Sequence, residues 1–76
     1  MSRDISNSVS IATSALSGLK TKIDSICAAR KRAGKTNKMM NQIMVASGSA
    51  LKVELIFQDN STESAEIPAG QWSWKN

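Results

Sequence analysis

Arg30, Lys31, Arg32, Lys35 and Lys38 place five cations within nine residues. Cations at that density attract phosphates and carboxylates, lysine as a point charge and arginine through a planar fork of donors. These five residues are the candidate ligand-binding set, suited to a nucleic acid, a nucleotide or an acidic protein surface. The plainer reading is a solvated helix end, because cations complement the C-terminal turn of a helix. Gly34-Lys35-Thr36 has the tail of a phosphate-binding loop. That loop requires glycine five positions before Gly34, where Ala29 stands, and it opens a helix rather than closing one.

Other chemistry lacks parts. The chain has no histidine and no tyrosine, and Cys27 is its lone cysteine. One thiol cannot form an intrachain disulfide or furnish a zinc site, so no metal or other cofactor is expected. Cys27 as a nucleophile would have no histidine base, and a packed thiol is expected. Glu54 and Glu66 are expected to face each other across a hairpin, solvated rather than enclosed. A non-enzymatic protein follows.

Trp72 and Trp74 are the only tryptophans. They either cap a sheet or, if exposed, anchor a partner. With the methionines as an adaptable surface, they suggest a protein–protein antagonist or adaptor, such as an inhibitor encoded by a mobile element or phage. A third reading is a purely structural assembly element.

The elements that would carry these residues follow from periodicity. Ile5, Val9, Ala12, Leu16, Leu19, Ile23 and Ile26 are spaced by alternating fours and threes. That is a heptad seam, and it predicts a coiled-coil-like helix over 3–32 that forms a homo-oligomer interface. Ser2 is the expected N-cap, with Asp4 in the first turn. Arg30, Lys31 and Arg32 fill the last turn, and Gly34 follows as a stop. Gly18, mid-helix, is either a solvent-facing weak spot or a place of close backbone approach.

Helix propensity of Met, Gln and Ala predicts a short second helix over 37–47, the rival being a strand from Gln42 to Ala46. Leu51 to Phe57 alternates apolar and polar residues, predicting a strand with 51, 53, 55 and 57 inward. Asp59-Asn60-Ser61 supplies turn chemistry, and Thr62 to Ile67 returns. A loop at 59–61 would pair Phe57 with Glu63, Leu55 with Ala65 and Val53 with Ile67. Pro68 ends that strand, and Gln71 to Lys75 adds a third. The expected fold is α+β: a long N-terminal amphipathic helix, a short second helix, and a two- to three-stranded antiparallel meander over 50–75.

Seventy-six residues make a single domain, one that buries roughly 60% of the surface its unfolded chain exposes. Such small domains commonly gain stability by self-association. A strand of this length spans about 23 Å and the expected helix about 43 Å, so a partner chain would be needed to cover the seam. The net charge of +4 is uneven: residues 1–38 carry +6 and residues 39–76 carry −2. An acidic partner for the first half, or head-to-tail contact between copies, would use that asymmetry. No apolar run reaches the ~18 residues of a membrane span. The serine-rich start is unlike a secretory signal, and a cytoplasmic protein with no membrane association is expected.

Overall fold

A computed structural model describes residues 4–75. A single-turn 3-10 helix at Ser6–Ser8 leads into strand β1 (Val9–Ile11) and then helix α1 (Thr13–Arg32). Strands β2 (Met39–Ser47), β3 (Ala50–Phe57), β4 (Thr62–Ile67) and β5 (Trp72–Trp74) follow. β2, β3 and β4 form an antiparallel sheet in that order, while β1 and β5 form a separate two-stranded ribbon. The described residues make a small α+β protein with one α-helix and antiparallel sheets.

The expected long helix is overturned. Its first third is a 3-10 turn, a strand and the cap residue Ala12. Val9-Ser10-Ile11 has the period of two that a strand needs, and Val9 and Ile11 pair with Trp74 and Trp72. Those tryptophans lie far along the chain, so local spacing does not reveal the pairing. The heptad seam is therefore divided among elements. Val9 and Leu19 are buried in the chain's own core, Ile5, Ile23 and Ile26 pack against that core, and Leu16 stays 47% exposed. Nothing continuous remains for a coiled coil. Ser2, expected as the cap, lies outside the described residues.

At 20 residues, α1 spans about 30 Å, which removes the length mismatch that called for a partner helix. Ala12 makes no side-chain capping bond, but its N–H donates to the Gln71 carbonyl at 2.9 Å, tying the helix start to the approach to β5. Gly18 is solvent-facing. A side chain there would meet nothing within 4 Å, so no backbone of this chain approaches it closely.

The expected second helix is also overturned: residues 39–47 are strand β2. Ile43 and Val45 suit a pleated surface, and β3 supplies eight partners from Met39↔Phe57 to Ser47↔Ala50, with a bulge around Met40. Tertiary pairing outweighs the helix propensity of Met and Gln.

β3 alternates as its sequence does, with Leu51, Val53, Leu55 and Phe57 fully buried. Its partners on β4 differ from expectation by two residues: Leu51↔Ile67, Val53↔Ala65 and Leu55↔Glu63. The loop is 58–60 rather than 59–61. Asn60 takes the left-handed conformation there (φ 68°), which a three-residue hairpin loop requires at its last position. A shift of two preserves the faces, so the inward set is unchanged. Across from Glu66 stands Lys52, not Glu54, and Glu54 faces Ser64. Lys52 also approaches Glu54 along its own strand at 3.6 Å.

The core lies between the sheet's inner face and a cover made of α1 and the β1–β5 ribbon. The Trp72 indole N–H donates to the Ser49 carbonyl at 3.2 Å, seating the ribbon over the β2–β3 turn. Among the described residues no helix is long and apolar enough to cross a membrane.

Candidate anion-binding platform

The basic cluster divides into one buried arginine and four exposed cations. Continuing the helical spacing from Leu19, Ile23 and Ile26 reaches Arg30, which is only 3% exposed. Its guanidinium lies 3.7 Å from the centroid of the Phe57 ring. Nε and Nη2 both donate to the Thr36 carbonyl, at 3.2 and 2.8 Å. Nη2 is 3.4 Å from Asp59, and Nη1, which has no hydrogen-bond partner, is 3.8 Å from Glu63. Arg30 is thus a clasp joining the end of α1, the following loop and the β3–β4 hairpin. It does not present its charge to solvent.

Lys31, Arg32, Lys35 and Lys38 are all exposed. Among the described residues none of them has a carboxylate within ion-pair distance. The segment bearing them is held closely. Gly34 adopts φ 75°, its N–H donates to the Lys31 carbonyl at 3.0 Å, and the Lys35 N–H donates to Arg30 at 2.9 Å. This is a Schellman stop, in which glycine avoids the Cβ clash of the left-handed region. The Asn37 side chain donates to the Cys27 carbonyl at 2.9 Å, and the Gln58 N–H donates to the Lys38 carbonyl at 2.9 Å. The Ala29, Arg30 and Lys31 carbonyls are engaged, and the four cations stand on the last turn of α1 (Lys31, Arg32) and on the loop after it (Lys35, Lys38), which is fixed to both the helix and the sheet. Cys27 is half-buried.

Exposed Met39 and Met40 adjoin Lys38 at the start of β2. The tryptophans are elsewhere. Trp72 is half-buried, Trp74 is 55% exposed, and their rings meet edge-on at 5.3 Å. Trp72 bonds near the β2–β3 turn, at the opposite end of β2 from Met39. The structure does not bring the tryptophan pair and the exposed methionines into one surface.

Two carboxylates are held below their ordinary value of 3.8. For Asp4 the chief cause is the Met44 N–H, which donates to it at 2.8 Å, followed by the Ser6 N–H at 3.1 Å. For Asp59 the chief cause is the Ser61 hydroxyl, then the Ser61 N–H, with Arg30's charge adding to both. Folded-state values below the unfolded ones make each group stabilising above about 3.8, and that contribution is lost as the pH falls through the lower folded value. The thermal midpoint is expected to hold from neutrality to near that pH and then decline. Asp4→Asn and Asp59→Asn should each make the acid decline shallower; melts of the two variants with an unaltered acid limb would refute the assignment.

Among the described residues no group of three or more His, Cys, Asp or Glu side chains is placed to hold a metal. No protein-family model matches the chain, and neither the curated proteins nor the solved structures contain a match. The functional reading therefore rests on the geometry.

Proposed function

We propose that the protein is a non-enzymatic binding protein that engages a polyanionic, phosphate-bearing partner through Lys31, Arg32, Lys35 and Lys38. The observation that carries this reading is four solvent-facing cations, free of carboxylate partners among the described residues, on the last turn of α1 and the anchored loop that follows it. Solvated lysines that merely complement a helix end need no such anchoring. A held loop loses less conformational entropy on binding. Arg30 positions the loop without touching the partner.

Four phosphate contacts give a slope of about −3.6 for log K against log salt on duplex DNA. Affinity should then fall roughly a hundredfold between about 50 and 200 mM salt. Fluorescence anisotropy with a short labelled duplex, titrated across that range, measures it. A slope near zero, or no binding at the low-salt end, would reject the reading. Trp74, Met40 and Met39 remain exposed and would support the antagonist reading, but Trp74 lies on the β1–β5 ribbon and the methionines at the start of β2.

A further inference from the structure

Each outer strand of the three-stranded sheet directs one row of backbone groups away from β3. On β2 that row is partly occupied. The Met44 N–H donates to Asp4 and the Met44 carbonyl accepts from the Ile5 N–H at 2.7 Å, while the Gln42 N–H donates to the Asn41 side chain at 2.9 Å. Such plugging is how sheets keep edges from pairing at random.

On β4 the row is open. The Phe57 N–H donates to the Ser61 carbonyl at 2.9 Å, which makes 57 and 61 a bonded pair. Alternation along the continuous register then bonds Glu63, Ala65 and Ile67 to β3 and turns the N–H and C=O of Thr62, Ser64 and Glu66 outward. Among the described residues no backbone or side chain takes up these groups. The strand carries no bulge to deter pairing.

The inner side of the same edge opens into a groove of about 360 Å³ between α1 and β4, its lining mostly apolar and including Ala15, Gly18, Leu19, Ile67 and Pro68. Gly18 borders the open side of the groove, and a Cβ there would meet nothing within 4 Å, so a larger side chain has room to reach over it. Glu66, turned to the outer face by the alternation of the strand, also borders this groove together with Lys22, and it is exposed with no cation at ion-pair distance among the described residues.

We propose that the β4 edge receives an extended segment of a partner polypeptide as a fourth strand, with an apolar side chain filling the groove and a lysine or arginine meeting Glu66. Main-chain bonds to Thr62, Ser64 and Glu66 would hold such a strand whatever its sequence, and the alternating side chains would select it. A residue opposite Ile67, which lines the groove, points into it, and one opposite Glu66 points to the outer face. A second copy pairing through its own β4 fits less well. Each α1 packs on its own β4, neighbouring strands lie about 4.8 Å apart, and helices require about 8–10 Å. A lone extended segment brings no helix.

The probe is a blocked heptapeptide, Thr-Thr-Lys-Leu-Lys-Thr-Thr, titrated into isotope-labelled protein while backbone amide shifts are followed. Shifts are expected at Thr62, Ser64, Glu66 and Gly18. Replacing the central leucine by glycine should weaken binding about tenfold or more, the loss expected for an unfilled apolar site. Gly18→Leu, which reaches over the groove, should weaken it comparably while leaving the thermal melt no lower. Silence at these amides up to millimolar peptide would overturn the proposal, as would undiminished binding by Gly18→Leu. Concentration-dependent protection of the Thr62, Ser64 and Glu66 amides in the free protein would also overturn it, by showing that a second copy holds the edge.

Discussion

Arg30→Ala is expected to lower unfolding free energy by about 2–4 kcal/mol. The substitution removes two charge-assisted bonds to Thr36 and the stacking on Phe57. It also strands the Thr36 carbonyl. The effect stays below the upper range for breaking a buried ion pair, because Asp59 and Glu63 are 39% and 41% exposed and can rehydrate. Against a total of roughly 4–11 kcal/mol for a chain of this length, such a loss is severe. Arg30→Met keeps much of the packing and should lose less. Arg30→Lys keeps the charge but not the planar fork, so it should not restore the parent. Urea unfolding of the three variants makes the comparison. Equal stability of Arg30→Ala and the parent would show that the clasp contributes nothing.

Phe57→Ala is expected to lose about 3–5 kcal/mol, the range for emptying a buried aromatic site. Phe57 is fully buried at the end of β3 and is the ring on which Arg30 lies. The two substitutions share one contact, so their effects should fall short of additivity by about 0.5–3 kcal/mol. Urea titration of the single and double variants tests this. Strict additivity would mean that the ring and the guanidinium act separately. If Phe57→Ala leaves the protein unfolded at ambient temperature, Phe57→Leu provides the milder member of the cycle.

The candidate site was more legible in the sequence than the layout was. The density of cations at 30–38, the stop at Gly34 and the inward set of β3 follow from residue type and spacing alone. The N-terminal third does not. Ile5, Val9 and Ala12 satisfy a heptad arithmetically, and only the distant partners Trp72 and Trp74 make Val9–Ile11 a strand. Residues 39–47 present helix-favouring methionines, and the strand form depends on β3 beside them. The hairpin register turned on which residue takes positive φ, and Asn60 does so as the last loop residue. Arg30 could have been separated from its neighbours. It continues the spacing of Leu19, Ile23 and Ile26, and a cation at such a position points to a buried, partnered group rather than a ligand contact. The open edge of β4 and its groove have no local signature, because both are set by which strand lies outermost.

The direct test of the platform is a quadruple variant, Lys31→Gln, Arg32→Gln, Lys35→Gln and Lys38→Gln, compared with the parent for duplex binding at low salt. The account predicts loss of measurable binding with the melting temperature little changed, since none of the four forms an ion pair within the described chain. Retention of parental affinity by a folded quadruple variant would contradict it.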